Sequence, residues 1–118
     1  SCKSDDDAKL SNKWILESYI KDSGSIVTNV SQPLYFTFTK DNEVNIELNA
    51  NTCSGDYEKT SEVLTLTNFD CTKTCCDSTL SVTAYNLFLD SVKIYRINGK
   101  TLKLTGDHGT AFQLSLVE

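Results

Sequence analysis

The chain has 118 residues, 39% of them hydrophobic, and a net charge of −5 at pH 7. This composition fits one globular domain with its own apolar core, and it argues against a disordered segment and against nucleic-acid binding, because phosphate contacts need clustered Lys and Arg side chains. No apolar run reaches the roughly 20 residues that a helix needs to cross a bilayer.

The first nine residues are polar, lack periodicity and contain Cys2. A cysteine at a mature N-terminus, preceded by a small residue, resembles the lipidation site of bacterial lipoproteins, where acyl chains give stable membrane anchoring. The Lys-Ser-Asp-Asp-Asp run at residues 3–7 is similar to the acidic surface-export signal of Bacteroidetes-type lipoproteins. We therefore interpret residues 1–9 as a disordered lipoprotein tether, in preference to an acidic tail with an incidental cysteine, and residues 10–118 as one domain.

Alternation of apolar and polar residues predicts antiparallel strands in the first half of the domain. The first strand is expected at residues 13–21 and is followed by a loop rich in Gly, Ser and Asn that ends at Pro33. Two runs of period two, at residues 34–39 and 44–48, flank the polar turn at residues 40–43. They predict a hairpin with one buried face and one solvated face.

The second half of the chain shows the same alternation in shorter runs. Four further strands are indicated, at residues 64–67, 92–97, 102–104 and 112–116. Asn98-Gly99 is a strong hairpin signal, since both residues tolerate positive φ. Short strands with few long gaps predict a small barrel or a strongly bent sheet.

One segment, residues 77–89, has helical periodicity instead. Its apolar residues recur on one helix face, at Leu80, Ala84, Leu87 and Phe88. Asp77 or Ser78 is the expected N-cap, and the weak helix propensity requires that the helix pack on the sheet. The predicted fold class is therefore α+β, mainly β: an antiparallel barrel-like or strongly bent sheet of about seven to eight strands with one packed helix.

Three motifs resemble the META/HslJ-like domain family: NTCSGDY at residues 51–57, CTKTCCDS at 71–78 and VKIYRINGKTLKL at 92–104. The resemblance extends from Leu10 onward. The residues that occupy the family's positions are Asn51, Gly55, Tyr57, Thr72, Cys76, Tyr95, Ile97, Gly99, Leu102 and Leu104. Two departures are Asn49-Ala50, where the family often has Gly-Cys, and the absence of an acid early in the helix.

The resemblance implies a barrel-like antiparallel sheet with one helix, a heat-shock or envelope-stress association, motility or virulence roles in some members, and no established enzymatic activity. We therefore expect a non-enzymatic lipoprotein of the bacterial cell envelope, at the outer membrane and facing the periplasm or the cell surface. Its expected partners are the membrane, through the lipid anchor, and an unidentified protein or small ligand. We expect a monomer, without a cofactor and without nucleic acid.

Five cysteines in a chain of this length indicate an oxidising compartment. With Cys2 assigned to lipidation, Cys53, Cys71, Cys75 and Cys76 are disulfide candidates with three possible pairings, and Cys53 is expected to join the 71–76 cluster. Thiol-disulfide exchange at that cluster is the enzymatic alternative. A metal site is disfavoured, because zinc sites usually combine two paired Cys elements and only one cysteine lies outside the cluster.

The remaining polar candidates have structural interpretations that we favour. His108, in the Gly-Asp-His-Gly turn, is expected to be solvated, with Asp107 stabilising the turn, so no catalytic residue is assigned. Asn51, Gly55 and Tyr57 are interpreted as a glycine-dependent bulge or turn, with Tyr57 half-buried and Asn51 bonded to backbone, in preference to a ligand patch. A lipocalin-like carrier of small ligands and a protease inhibitor are the other open alternatives.

Overall fold

A computed structural model of the chain describes residues 8–21, 24–28, 33–74 and 77–118. Within these residues, nine strands form one antiparallel sheet: β1 (Lys13–Ile20), β2 (Ile26–Thr28), β3 (Tyr35–Phe38), β4 (Glu43–Glu47), β5 (Thr52–Thr60), β6 (Val63–Cys71), β7 (Val92–Asn98), β8 (Thr101–Gly106) and β9 (Ala111–Leu116). One helix, α1 (Thr79–Ser91), lies between β6 and β7, and a 3-10 turn (Asp107–Gly109) joins β8 to β9.

The sheet closes on itself. Its strand order is β2-β1-β3-β4-β5-β6-β7-β8-β9, and β1 also pairs with β9. Eight strands therefore form a closed antiparallel barrel, and β2 adds to the outside of β1 beyond the end of β3. The predicted class, mainly β with a single packed helix, is confirmed.

The side chains that point inward from every second strand position fill the interior of the barrel. Ten inward-facing side chains from five strands are each no more than 1% exposed: Trp14, Leu16, Phe36, Phe38, Val44, Ile46, Leu102, Leu104, Phe112 and Leu114. An eight-stranded barrel has an interior about as wide as the side chains that line it, so bulky residues at these positions pack it. The Trp14 indole N–H is satisfied by the Leu10 carbonyl oxygen at 3.0 Å.

Helix α1 completes this core. Ser78 caps it through a hydrogen bond from the Ser81 N–H to its hydroxyl, and Ala84, Leu87 and Phe88 are buried. The Phe88 ring lies edge-on to Phe36 at 5.0 Å between centroids, so the helix inserts an aromatic side chain among the rings of the barrel. No helix in the described ranges combines the length and the apolar character needed to span a membrane.

The barrel is held unevenly around its circumference. Strands β5 and β6 pair along nearly their whole length, whereas β6 and β7 share one bridge pair, Val63 with Ile94. A backbone hydrogen bond from Tyr95 to the Glu62 carbonyl oxygen, at 2.9 Å, extends this contact. We call this junction the β6–β7 seam. Helix α1 leads directly into β7 at the same place.

The predicted hairpins are present, with one difference in a turn. Strands β3 and β4 pair Phe36 with Ile46, as the period-two pattern predicts. In the β7–β8 hairpin, Asn98 pairs with Thr101, so the turn residues are Gly99 and Lys100 and not Asn98 and Gly99. Gly99 has a φ of 64°, and it supplies the left-handed conformation that this turn requires.

Candidate functional site

The side chain of Asn51, in the turn between β4 and β5, is the centre of a polar network. Its Oδ1 accepts hydrogen bonds from the Thr72 hydroxyl at 2.8 Å and the Thr74 N–H at 2.7 Å. Its Nδ2 donates to the Thr74 carbonyl oxygen and to Asp77 Oδ2, both at 2.7 Å. Asn51 therefore bonds to backbone, as expected, and its amide is fully used in holding the segment that follows β6.

Asp77 also bonds to the turn between β4 and β5. Its Oδ1 accepts from the N–H groups of Ala50 at 2.6 Å and Asn51 at 3.2 Å. Burial alone would raise the pKa of Asp77, but the hydrogen bonds from the Asn51 side chain and from backbone N–H groups lower it overall. The carboxylate is therefore held in its charged form by the turn that it holds in place.

Asn49 extends the network to helix α1. Its Oδ1 accepts from the Ser78 N–H at 2.9 Å and the Ser81 hydroxyl at 2.6 Å. Residues 49–51 are thus bonded to Asp77, just before the helix, and to Ser78 and Ser81 at its first turn. The departure from the family's Gly-Cys at this turn has a structural use here, because Asn49 satisfies polar groups at the helix N-terminus.

The Cys53–Cys71 disulfide lies next to this network. The two cysteines are directly opposite each other on β5 and β6, with Cα atoms 4.0 Å apart and a sequence separation of 18 residues. At the next position, Thr52 and Thr72 exchange hydrogen bonds of 3.1 Å. Cys53 therefore joins the cluster through Cys71. The other three cysteines lie outside the described residues: Cys2, Cys75 and Cys76.

Gly55 and Tyr57 have packing roles. Gly55 lies beside a bulge, between Ser54 and Asp56, where the register of β5 and β6 shifts. The extra residue of this bulge is on β6. Tyr57 is 3% exposed, so the expectation that it is half-buried was wrong. Its hydroxyl donates to the Thr39 carbonyl oxygen at 2.7 Å, which lets the phenol enter the core without an unpaired polar atom.

The turn that contains His108 is exposed. His108 adopts a φ of 60°, and Asp107 forms an ion pair of 2.9 Å with Lys93. The hydrogen bond and charge of Lys93 lower the pKa of Asp107. Asp107 thus ties the turn to β7 through its side chain. Across residues 8–21, 24–28, 33–74 and 77–118, no three His, Cys, Asp or Glu side chains form a group that could hold a metal ion.

Two parts of this arrangement are not signalled by the sequence. The sequence indicates Asp77 only as a helix cap, whereas its carboxylate bonds to Ala50 and Asn51. Asn49 differs from the family pattern, and nothing in the sequence indicates its partners. Both contacts join residues more than 25 positions apart, and a polar residue in a loop carries no periodicity that would reveal its partner.

Solved structures with this fold are distant in sequence. The NMR structure of a protein from Burkholderia xenovorans has a TM-score of 0.72 and 15% identity, and the match covers 91% of this chain and 82% of that one. The crystal structure of a DUF4847 family protein from Bacteroides vulgatus has a TM-score of 0.66 and 15% identity, with 90% and 92% covered. These similarities concern the fold alone.

No curated protein matches the chain significantly. The resemblance of the three motifs is nevertheless confirmed at the level of the family. The sequence profile of the META domain matches residues 8–117. That range includes the Asn51 network, the disulfide, the helix and all the strands of the barrel, and the chain therefore belongs to the META domain family.

Proposed function

We propose that this META domain is a non-enzymatic binding module of the bacterial cell envelope, anchored to the outer membrane by lipid on Cys2 and acting in the stress response. It binds an unidentified protein or small ligand as a monomer. The Cys53–Cys71 disulfide is the observation that carries this proposal, since such bonds form and persist in oxidising compartments.

The hydrogen bonding of the family positions supports binding over catalysis. A catalytic group needs a polar atom free to meet substrate, whereas both polar atoms of the Asn51 amide already have partners within the chain. Tyr57 is likewise occupied by a backbone carbonyl. These residues support a rigid scaffold whose outer surface is available to a partner.

The anchoring part of the proposal rests on residues 1–7, which lie outside the described residues. Its support is the sequence: Cys2 after a small residue, then the Lys-Ser-Asp-Asp-Asp run. Two acyl chains on Cys2 would bury enough methylene groups, at about 0.8 kcal/mol each, for stable anchoring. The acidic run would direct the lipoprotein to the cell surface.

The experiment is metabolic labelling in a Bacteroidetes host with an alkyne fatty acid, followed by detergent phase partition. The wild-type chain should carry the label and enter the detergent phase, and Cys2→Ser should do neither. Replacement of Asp5, Asp6 and Asp7 by Ala should keep the label but protect the protein from protease added to intact cells. An unlabelled wild-type chain would refute the anchor.

The alternative functions have less support. A lipocalin-like carrier needs an internal cavity, and the side chains of Trp14, Phe36 and Phe112 occupy that space. Thiol-disulfide exchange through Cys71 is disfavoured, because Cys71 is already bonded to Cys53, whose fully buried side chain is inaccessible to a second protein. Cys75 and Cys76 lie outside the described residues.

A further inference from the structure

The outward-facing side chains of the barrel are segregated by charge. On β4 and β5 the positions that alternate with buried Val44, Ile46, Cys53 and Tyr57 carry four acids: Glu43, Glu47, Asp56 and Glu58. Lys59, near the end of β5, is the one exposed cation of these two strands. On β7, β8 and β9 the exposed positions carry three cations, Lys93, Arg96 and Lys103, and no acid. In a chain with a net charge of −5, these three strands thus carry no carboxylate of their own, although Glu62, in a neighbouring turn, pairs with Arg96.

Register aligns this second face into three rows across three strands. The upper row is Asn98, Thr101 and Ser115, the central row is Arg96, Lys103 and Gln113, and the lower row is Ile94, Thr105 and Ala111. We call these nine positions the donor face. Its central row places a guanidinium, an ammonium and an amide side by side, and all three can donate hydrogen bonds.

The central row is unfavourable for the folded chain by itself. Arg96 and Lys103 are directly opposite each other, and like charges at such positions destabilise an antiparallel pair. Arg96 has a carboxylate nearby, with its Nε 3.3 Å from Glu62 Oε2. Lys103 has no ion-pair partner among the described residues. Two cations that repel each other are compensated when an anion bridges them.

The surface provides room for such an anion. A cleft of about 220 Å³ is lined by Ile94, Arg96, Lys103 and Thr105. Directly opposed residues have Cβ atoms roughly 5 Å apart, so the long side chains of Arg96 and Lys103 can both reach one group of phosphate size. The Thr105 hydroxyl adds a neutral donor at the edge of the cleft.

We propose that the donor face binds an anionic phosphate group, with Arg96 and Lys103 pairing with its charge and Thr105 and Gln113 donating hydrogen bonds. In the absence of ligand, the Glu62 carboxylate pairs with the Arg96 guanidinium, and it therefore competes with the phosphate group for that side chain. This inference rests on the proposed binding function, for which it names a ligand chemistry, but it does not depend on the lipid anchor.

The test is titration of the ¹⁵N-labelled, unlipidated chain with sodium pyrophosphate, followed by backbone amide shifts. Saturable shifts are expected at Arg96, Lys103 and Gln113. Lys103→Gln should weaken the affinity by about fivefold to tenfold, because it removes one charge-assisted contact. Glu62→Gln should strengthen the affinity, since it frees the guanidinium of Arg96.

The matched control is Lys40→Gln, which makes the same charge change in the turn between β3 and β4, away from the donor face. Its affinity should stay within about twofold of the wild type if contact, and not net charge, controls binding. Equal weakening by Lys40→Gln and Lys103→Gln would overturn the proposal. The unfolding midpoints of Lys103→Gln and Lys40→Gln should stay close to that of the wild type, which excludes misfolding as the cause of any weaker binding.

A second arm distinguishes the source of the phosphate group. Vesicles of phosphatidylglycerol and of phosphatidylcholine are sedimented with the chain. Binding to phosphatidylglycerol alone, lost in Lys103→Gln, identifies a lipid headgroup, whereas amide shifts with pyrophosphate and no sedimentation identify a soluble phosphate compound. No response in either arm refutes the site, and labelling of Cys2 then tells separately whether the envelope proposal stands.

Discussion

The ring of Phe69 on β6 occupies the space beside Gly55 on β5: a Cβ atom built on Gly55 would lie 2.4 Å from Phe69 Cδ1. The glycine is needed at this position for that reason and not for a positive φ. Phe69 in turn packs edge-on to Tyr85 and Phe88, so its ring joins the bulged part of the barrel to helix α1. In this chain, Gly55 is therefore a packing requirement between two neighbouring strands.

Gly55→Ala should destabilise the fold by about 1–3 kcal/mol, because the Phe69 ring must move away from its contacts with the helix. Urea unfolding measures the loss. Phe69→Leu in the same chain should recover part of it, and Thr65→Ala, at an exposed position of β6, is the control with an effect within about 0.5 kcal/mol. Equal losses in the Gly55→Ala and Thr65→Ala variants would contradict the steric account.

Asn51→Ala should lower the free energy of unfolding by about 2–3 kcal/mol, because the groups that its amide satisfies lose their partners. The loss should be accompanied by faster amide exchange at Thr74 and Ser78. Asn45→Ala is the matched control: Asn45 accepts one exposed hydrogen bond from Ser54, at 2.6 Å. If both variants unfold at the same urea concentration, the Asn51 network does not contribute to the stability of the fold.

Asp77 gives stability at neutral pH that acid removes. Since its folded-state pKa is lowered, the contribution is complete above the unfolded value of about 3.9 and disappears as the pH falls through the folded value. Asp77→Asn should therefore show a flatter decline of unfolding free energy than the wild type below about pH 4. Asp107→Asn is the comparison: the pKa of Asp107 is also lowered, but its pair with Lys93 is exposed and is screened in about 0.3 M NaCl, so this variant should flatten the decline less than Asp77→Asn.

Removing the Cys53–Cys71 disulfide should cost about 3 kcal/mol, the value for a closed loop of this length. The variant Cys53→Ala with Cys71→Ala leaves the other three cysteines in place, and its thermal midpoint is compared with that of the wild type with and without dithiothreitol. The reduced wild type and the double variant should agree. If the double variant has the same thermal midpoint as the oxidised wild type, the disulfide does not stabilise the fold by restricting the unfolded chain.

The alternating hairpins were predictable because their inward positions are strongly apolar. Phe36 and Phe38 opposite Ile46 and Val44 leave one face that must be buried, and period two then fixes the strands. The helix was predictable for the same reason, although it runs from Thr79 to Ser91 and not over residues 77–89. Interpretation of these segments needed no information about distant partners.

Strands β2 and β5 were missed for different physical reasons. Strand β2 is three residues long, so it offers too few positions for a pattern. The inward positions of β5 include Cys53 and Gly55, neither of which appears as a large apolar residue, and the strand is recognisable only once Phe69 is known to fill the space beside the glycine. The partners of Asn51 were equally out of reach, since they depend on how β5 and β6 meet.

Because β6 and β7 share a single bridge pair, the β6–β7 seam is the weakest strand pairing of the barrel. Every other pairing in the described sheet has several bridge pairs. Local unfolding should therefore separate Val63 from Ile94 before it opens any hairpin. Helix α1 links the two sides of this junction, because it leads directly into β7 and its Phe88 ring packs edge-on to Phe69 of β6. Separation at this junction would leave unpaired backbone N–H and C=O groups on β6 and β7, as at any free edge of a sheet.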